Sequence, residues 1–130
     1  MKKSFFAALL ALPLLVSSCS KDDSDDASPS TGPKEYQVEY RVTATQATNA
    51  QIIYRDATGT EVVDQVAVVP KTYTFKRTMS QADIVSCGVF LSSAPASATV
   101  TSTLLLDGKE VKKETGSGAN AQALAIYLIP

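Results

Sequence analysis

Tyr36, Val38, Tyr40 and Val42 alternate with Gln37, Glu39, Arg41 and Thr43, the period of a strand with one buried and one wet face. The same period returns at Ala50 to Arg55, at Val62 to Val69, and at Tyr73 and Phe75 set among Thr72, Thr74 and Lys76. It continues at Val85, Cys87, Val89 and Leu91, and at Ala98, Val100, Ser102, Leu104 and Leu106. Turn residues punctuate the pattern: Asp56-Ala57-Thr58-Gly59-Thr60 reverses the chain, Pro70 interrupts it, and Ser80-Gln81-Ala82-Asp83 makes a corner. Leu106-Asp107-Gly108-Lys109 reads as a two-residue hairpin, because Asp-Gly supplies the positive φ that both central positions of that turn require. Lys109 to Glu114 then returns as a charged strand suited to an exposed edge. Thr115-Gly116-Ser117-Gly118 reads as a loop, and Ala121 to Ile129 closes the chain with apolar residues in both phases. A strand of that kind is expected inside a sandwich, with truncation after Asn120 abolishing folding.

No stretch longer than about six residues shows helical periodicity. Seven or eight short antiparallel strands within the 97 residues from Lys34 to Pro130 predict a single all-β domain, an immunoglobulin-like sandwich of two sheets. A small closed barrel is the second architecture open to the same strands.

The residues before Lys34 follow a different logic. Lys2 and Lys3 precede an apolar run from Phe5 to Val16, and small Ser17 and Ser18 lead into Cys19. This is the layout of a secretory signal peptide over residues 1–18, too short for an ordinary spanning helix and interrupted by Pro13. From Ser20 to Pro33 there is no large apolar residue; such a stretch buries too little surface to offset its ordering entropy. Residues 19–33 are therefore expected to form a tether of about 20 Å average reach, at about 5–6 Å times the square root of its length.

Val16-Ser17-Ser18-Cys19 resembles the bacterial lipobox. That resemblance implies lipidation of the Cys19 sulfur, cleavage before Cys19 and acylation of the new amino terminus, so that the membrane is a partner through this residue. Two or three acyl chains make a lasting anchor where one holds only marginally. Ser20-Lys21-Asp22-Asp23, followed by Asp25 and Asp26, resembles the export signal of surface lipoproteins in Bacteroidota. It implies display on the outer face of the outer membrane; the other reading of these acids is a solvated tether on the periplasmic side. They lack the spacing, turn glycine and distal glutamate of a calcium loop, and no metal is expected there.

Composition narrows the function. From Lys34 onward nine Lys and Arg side chains balance nine Asp and Glu, without the clustered basic excess of a nucleic-acid footprint. The 130 residues contain no histidine, which removes the commonest general base and metal ligand. No catalytic motif is expected, nor a cofactor. Asp56-Ala57-Thr58-Gly59-Thr60 superficially resembles the phosphorylated motif of P-type ATPases, but Ala57 stands where that motif has lysine. Gly116-Ser117-Gly118 lacks the lysine and helix of a phosphate loop. Cys87, between Val85 and Val89 at strand spacing, is read as a small buried hydrophobe. The five tyrosines share phase with apolar neighbours and are read as core residues, and without tryptophan no glycan platform is visible. The outward phase is read as mainly Thr, Ser, Gln and charge.

Tyr36-x-Val38-x-Tyr40-x-Val42, Ala50-x-Ile52-x-Tyr54-x-Asp56 with Gly59, and Leu106-Asp107-Gly108-Lys109-x-Val111 together resemble the MmpS-type domains. Those small sandwiches accompany mycobacterial RND lipid exporters, with a spanning helix where this chain has its lipobox and with paired cysteines that this domain lacks. The resemblance implies a sandwich fold and, as an alternative function, a periplasmic accessory subunit of an export or uptake complex. The residues themselves favour a non-catalytic, surface-tethered interaction module, whose ligand-binding residues the sequence leaves open.

Overall fold

The computed structural model describes residues 32–130. Eight strands follow one another, β1 (Lys34–Thr45), β2 (Asn49–Arg55), β3 (Glu61–Val68), β4 (Lys71–Met79), β5 (Ile84–Phe90), β6 (Thr99–Leu106), β7 (Lys109–Ser117) and β8 (Gln122–Leu128). They form two four-stranded antiparallel sheets, ordered β4-β1-β6-β7 and β3-β2-β5-β8. The result is the all-β sandwich that the alternating pattern predicts. Only β2-β3 and β6-β7 are hairpins within one sheet; every other connection crosses between sheets.

The inward phase of each strand builds the core. Val38, Tyr40 and Val42 of β1 and Val100 and Leu104 of β6 face Ile52 of β2 and Val85, Cys87 and Val89 of β5, all fully buried. Ser102 is the one buried polar residue among those described, and its hydroxyl donates to the Cys87 carbonyl at 2.8 Å, a bond that ties the two sheets together. Tyr40 is buried whole, its hydroxyl donating to the Arg55 carbonyl at 2.9 Å. Phe75 and Tyr54 meet its ring edge-on, at 5.5 and 6.0 Å between centroids, and Tyr73 stacks on Tyr54 at 4.2 Å. The tyrosines thus serve the core, as their phase predicts.

Turn chemistry matches residue type. Asp107 and Gly108 take φ of 51° and 79°, the left-handed region that the β6-β7 hairpin requires. The Asp107 carboxylate also accepts from the Gln37 amide at 2.9 Å. The Asp56 carboxylate accepts from the Thr58 hydroxyl and from the Thr58 and Thr60 amides, which holds it below the usual carboxylate range. This aspartate closes a turn, as its sequence context suggests.

One expectation is corrected. Gly116 and Ser117 belong to β7 and are not loop; a Cβ on Gly116 would lie 1.9 Å from the Gln122 carbonyl oxygen, so glycine is there to let β7 pass against β8. β8 pairs within the sandwich, along β5, as its two apolar phases predict, and lies at the edge of its sheet. Only its inward phase, Ala123, Ala125 and the following Ile129, is buried.

Candidate interaction surface

The two outer faces of the sandwich differ in kind. On the β4-β1-β6-β7 sheet, register places Glu35, Gln37, Glu39 and Arg41 opposite Thr78, Lys76, Thr74 and Thr72. Arg41, Thr43 and Thr45 lie opposite Thr103, Thr101 and Thr99 on the other side. This face is the Thr-rich, charged surface that the outward phase predicts. Its one large apolar member, Leu105, is itself buried.

The outer face of the β3-β2-β5-β8 sheet is apolar, against expectation. Val63 lies opposite Ile53, Ile53 opposite Gly88, and Gly88 opposite Leu124, so one apolar row crosses all four strands. Ile84 and Leu128 form a second pair, with Ile126 between them and the row. A Cβ on Gly88 would come within 3.0 Å of Phe90 and 3.2 Å of Leu124; those two side chains lean over the glycine and close the row. All seven exposed large hydrophobics among the described residues, Val63, Val66, Val68, Ile84, Leu124, Ile126 and Leu128, sit on this face. Val66 and Val68 are 69% and 67% exposed. Singly exposed apolar residues need no explanation, but seven on one face of a small domain make that face the candidate contact surface.

Register also places polar Asn49, Gln51, Arg55, Glu61, Ser86 and Gln122 on this face, around the apolar row. Gln51 donates to Gln65 at 2.8 Å beside the irregularity that shifts register between Ala50 and Ile52. These two, with Val66 and Phe90, line a depression of about 370 Å³. Arg55 and Glu61, opposite one another at the turn end, are the charges nearest the row. The Arg55 guanidinium donates to the Gly59 carbonyl at 2.9 Å.

A second concavity, of about 490 Å³, opens at the β3 and β4 edges and is lined by Tyr54, Asp56, Lys71, Tyr73 and Phe75. Asp56 is held by its own turn. The Tyr73 hydroxyl donates to Asp64 at 3.0 Å, and burial, then that carboxylate, push its ionisation well above the ordinary tyrosine value. The Lys71 ammonium lies 5.5 Å from the Tyr73 ring centroid.

The expected lipidation residue Cys19 and the export residues Ser20, Lys21, Asp22 and Asp23 lie outside the described residues. Cys87 is fully buried, and burial pushes its thiol from the ordinary 9.0 up to about 11, the opposite of what a reactive thiolate needs. Among the described residues no group of three or more His, Cys, Asp or Glu side chains is placed to hold a metal ion. The apolar face escapes a reading by strand period, because period two separates two faces without saying which one a second sheet covers. Its visible signal was Leu124, Ile126 and Leu128 alternating with small Ala123 and Ala125.

No protein-family model matches the chain, and no curated protein matches it.

Proposed function

We propose that the chain is a non-catalytic, lipid-anchored protein of the cell envelope, displayed at the cell surface, whose sandwich binds a protein partner through the outer face of the β3-β2-β5-β8 sheet. The observation that carries this reading is the gathering of seven exposed large hydrophobics on that single face. A protein partner suits it best, since exposed aliphatic side chains without a tryptophan platform offer less to a hydroxyl-rich polymer than to another apolar protein surface. Val16-Ser17-Ser18-Cys19 supports the anchor and Ser20-Lys21-Asp22-Asp23 the surface location. The absence of histidine and the use of Asp56 and Asp107 as backbone acceptors in turns support a binding role over a catalytic one.

Labelled palmitate fed to cells tests the anchor: it should enter the native chain and be absent from Cys19→Ala, which should also lose partition into detergent. Unchanged membrane association of Cys19→Ala contradicts lipidation. Protease added to intact cells should remove the domain; a fully protected domain places it on the periplasmic side.

A further inference from the structure

Every sheet edge exposes backbone N–H and C=O groups that a second strand can pair with, and folded proteins blunt such edges with charge, bulges or cover. Three of the four edges here carry such devices. β7 has Lys109, Lys112 and Lys113 with a register shift opposite Leu104 and Leu105. β4 has Lys71, Lys76 and Arg77, and β3 has Glu61, Asp64 and the irregularity opposite Ala50 and Ile52. β8 reads Gln-Ala-Leu-Ala-Ile-Tyr-Leu, without one charge.

Its bonds to β5 run through alternate residues. Cys87 is opposite Ala125, Leu91 donates to the Ala121 carbonyl at 2.8 Å, and Ile129 donates to the Asp83 carbonyl at 2.9 Å. In an antiparallel ladder the residues between bonded ones turn their backbone groups the other way, so Leu124, Ile126 and Leu128 aim theirs at the open edge. β7 of the facing sheet passes against β8, closely at Gly116 and Gln122, but no strand pairs with β8 on that side.

We propose that β8 pairs antiparallel with β8 of a second copy of this chain, about a two-fold axis at Ile126, joining the two apolar sheets into one of eight strands. Unpaired backbone calls for an extended strand rather than a lipid or a sugar, and β8 is the uncharged edge strand that this chain itself supplies. The pairing is self-complementary. Ile126 meets the partner's Ile126, and Leu124 meets the partner's Leu128, extending the apolar row on the outer face. Inside, half-buried Tyr127 meets the small Ala125 of the other copy, and gains cover. Because the other three edges are blunted, the assembly closes as a two-fold dimer and does not grow into a filament. It also doubles the width of the proposed contact face, although the pairing rests on β8 alone and not on the anchor.

Cysteine crosslinking of the full chain in native membranes tests the pairing. Across the axis the two Cα atoms of residue 126 lie about 5.5 Å apart, inside the disulfide range of about 4.4–6.8 Å. Mild oxidation should therefore convert most of the Ile126→Cys chain to a reducible dimer. Leu124→Cys, whose two copies sit about 15 Å apart, four residues along at about 3.4 Å each and about 5.5 Å across, should stay monomeric like the native chain and Thr74→Cys. An Ile126→Cys chain that stays monomeric, that links only to a different protein, or that dimerises no more than the controls overturns the proposal. If Ile126→Cys fails to accumulate, Leu124→Cys/Leu128→Cys replaces it: a dimer supports the pairing and a monomer overturns it.

Discussion

Ser102 of β6 and Cys87 of β5 face each other across the sandwich, joined by a hydroxyl-to-carbonyl bond of 2.8 Å with both residues fully buried. The small serine lets the sheets approach and, with the Tyr40 hydroxyl on the Arg55 carbonyl, supplies a polar bond between them in a mostly apolar centre. Ser102→Ala removes that bond without adding bulk. It should destabilise the domain by about 1 kcal/mol, read by urea denaturation of the Cys19→Ala chain; an unchanged midpoint would show that the bond contributes nothing net.

The same burial makes stability depend on alkaline pH. Cys87 rises from 9.0 to about 11 on folding. Above pH 9 the unfolded thiol loses its proton while the folded one keeps it, so the unfolded state binds fewer protons and stability falls as pH rises. The contribution is complete below pH 9 and lost as pH passes through about 11, roughly 2–3 kcal/mol in all. Cys87→Ala should flatten that part of the profile while lowering stability at neutral pH through lost packing. The native thiol should likewise resist maleimide until the chain is unfolded.

Gly116 should tolerate no side chain. The Gln122 carbonyl stands 1.9 Å from where a Cβ would lie, and backbone on both sides leaves little room to yield. Gly116→Ala should cost about 3 kcal/mol or more, against about 1 kcal/mol for Gly108→Ala, where the strain is of φ alone. Thermal melts of the two variants side by side give the comparison; equal losses would mean that β7 and β8 separate freely.

Truncation after Asn120 should leave no cooperative unfolding transition. It removes the partner of β5 from Ile84 to Phe90 and uncovers a core that Ala121, Ala123, Ala125 and Ile129 help to close. A truncated chain that melts cooperatively contradicts this.

Much of this fold is local enough to read from sequence. Tyr36 to Val42 declare a half-buried strand by alternation, and Asp107-Gly108 declares its turn because few residue pairs accept those φ values. What escaped depends on residues distant in the chain. Gly116-Ser117-Gly118 looks like loop chemistry, but Gly116 is in a strand because Gln122 presses against it. β8 reads as part of the sandwich because both its phases are apolar, and it is; its place at a sheet edge shows only in the sheet order. The candidate surface was hidden for the same reason: Val63, Ile53, Gly88 and Leu124 come from four strands, and only pairing assembles them into a row.

Charge placed on that face, away from β8, should separate binding from folding. Val66 and Val68 are more than two-thirds exposed, so Val66→Lys/Val68→Lys should change stability by no more than about 0.5 kcal/mol per site. The same pair should markedly weaken recovery of the partner from detergent-solubilised envelopes.

The account turns on which face of the sandwich meets the partner, and photocrosslinking in intact cells measures this directly. A photoreactive side chain at position 66, on the apolar face, should give a discrete adduct with a second protein, whereas the same side chain at position 101, on the Thr-rich face, should give none. Adducts from position 101 with none from position 66 would contradict it.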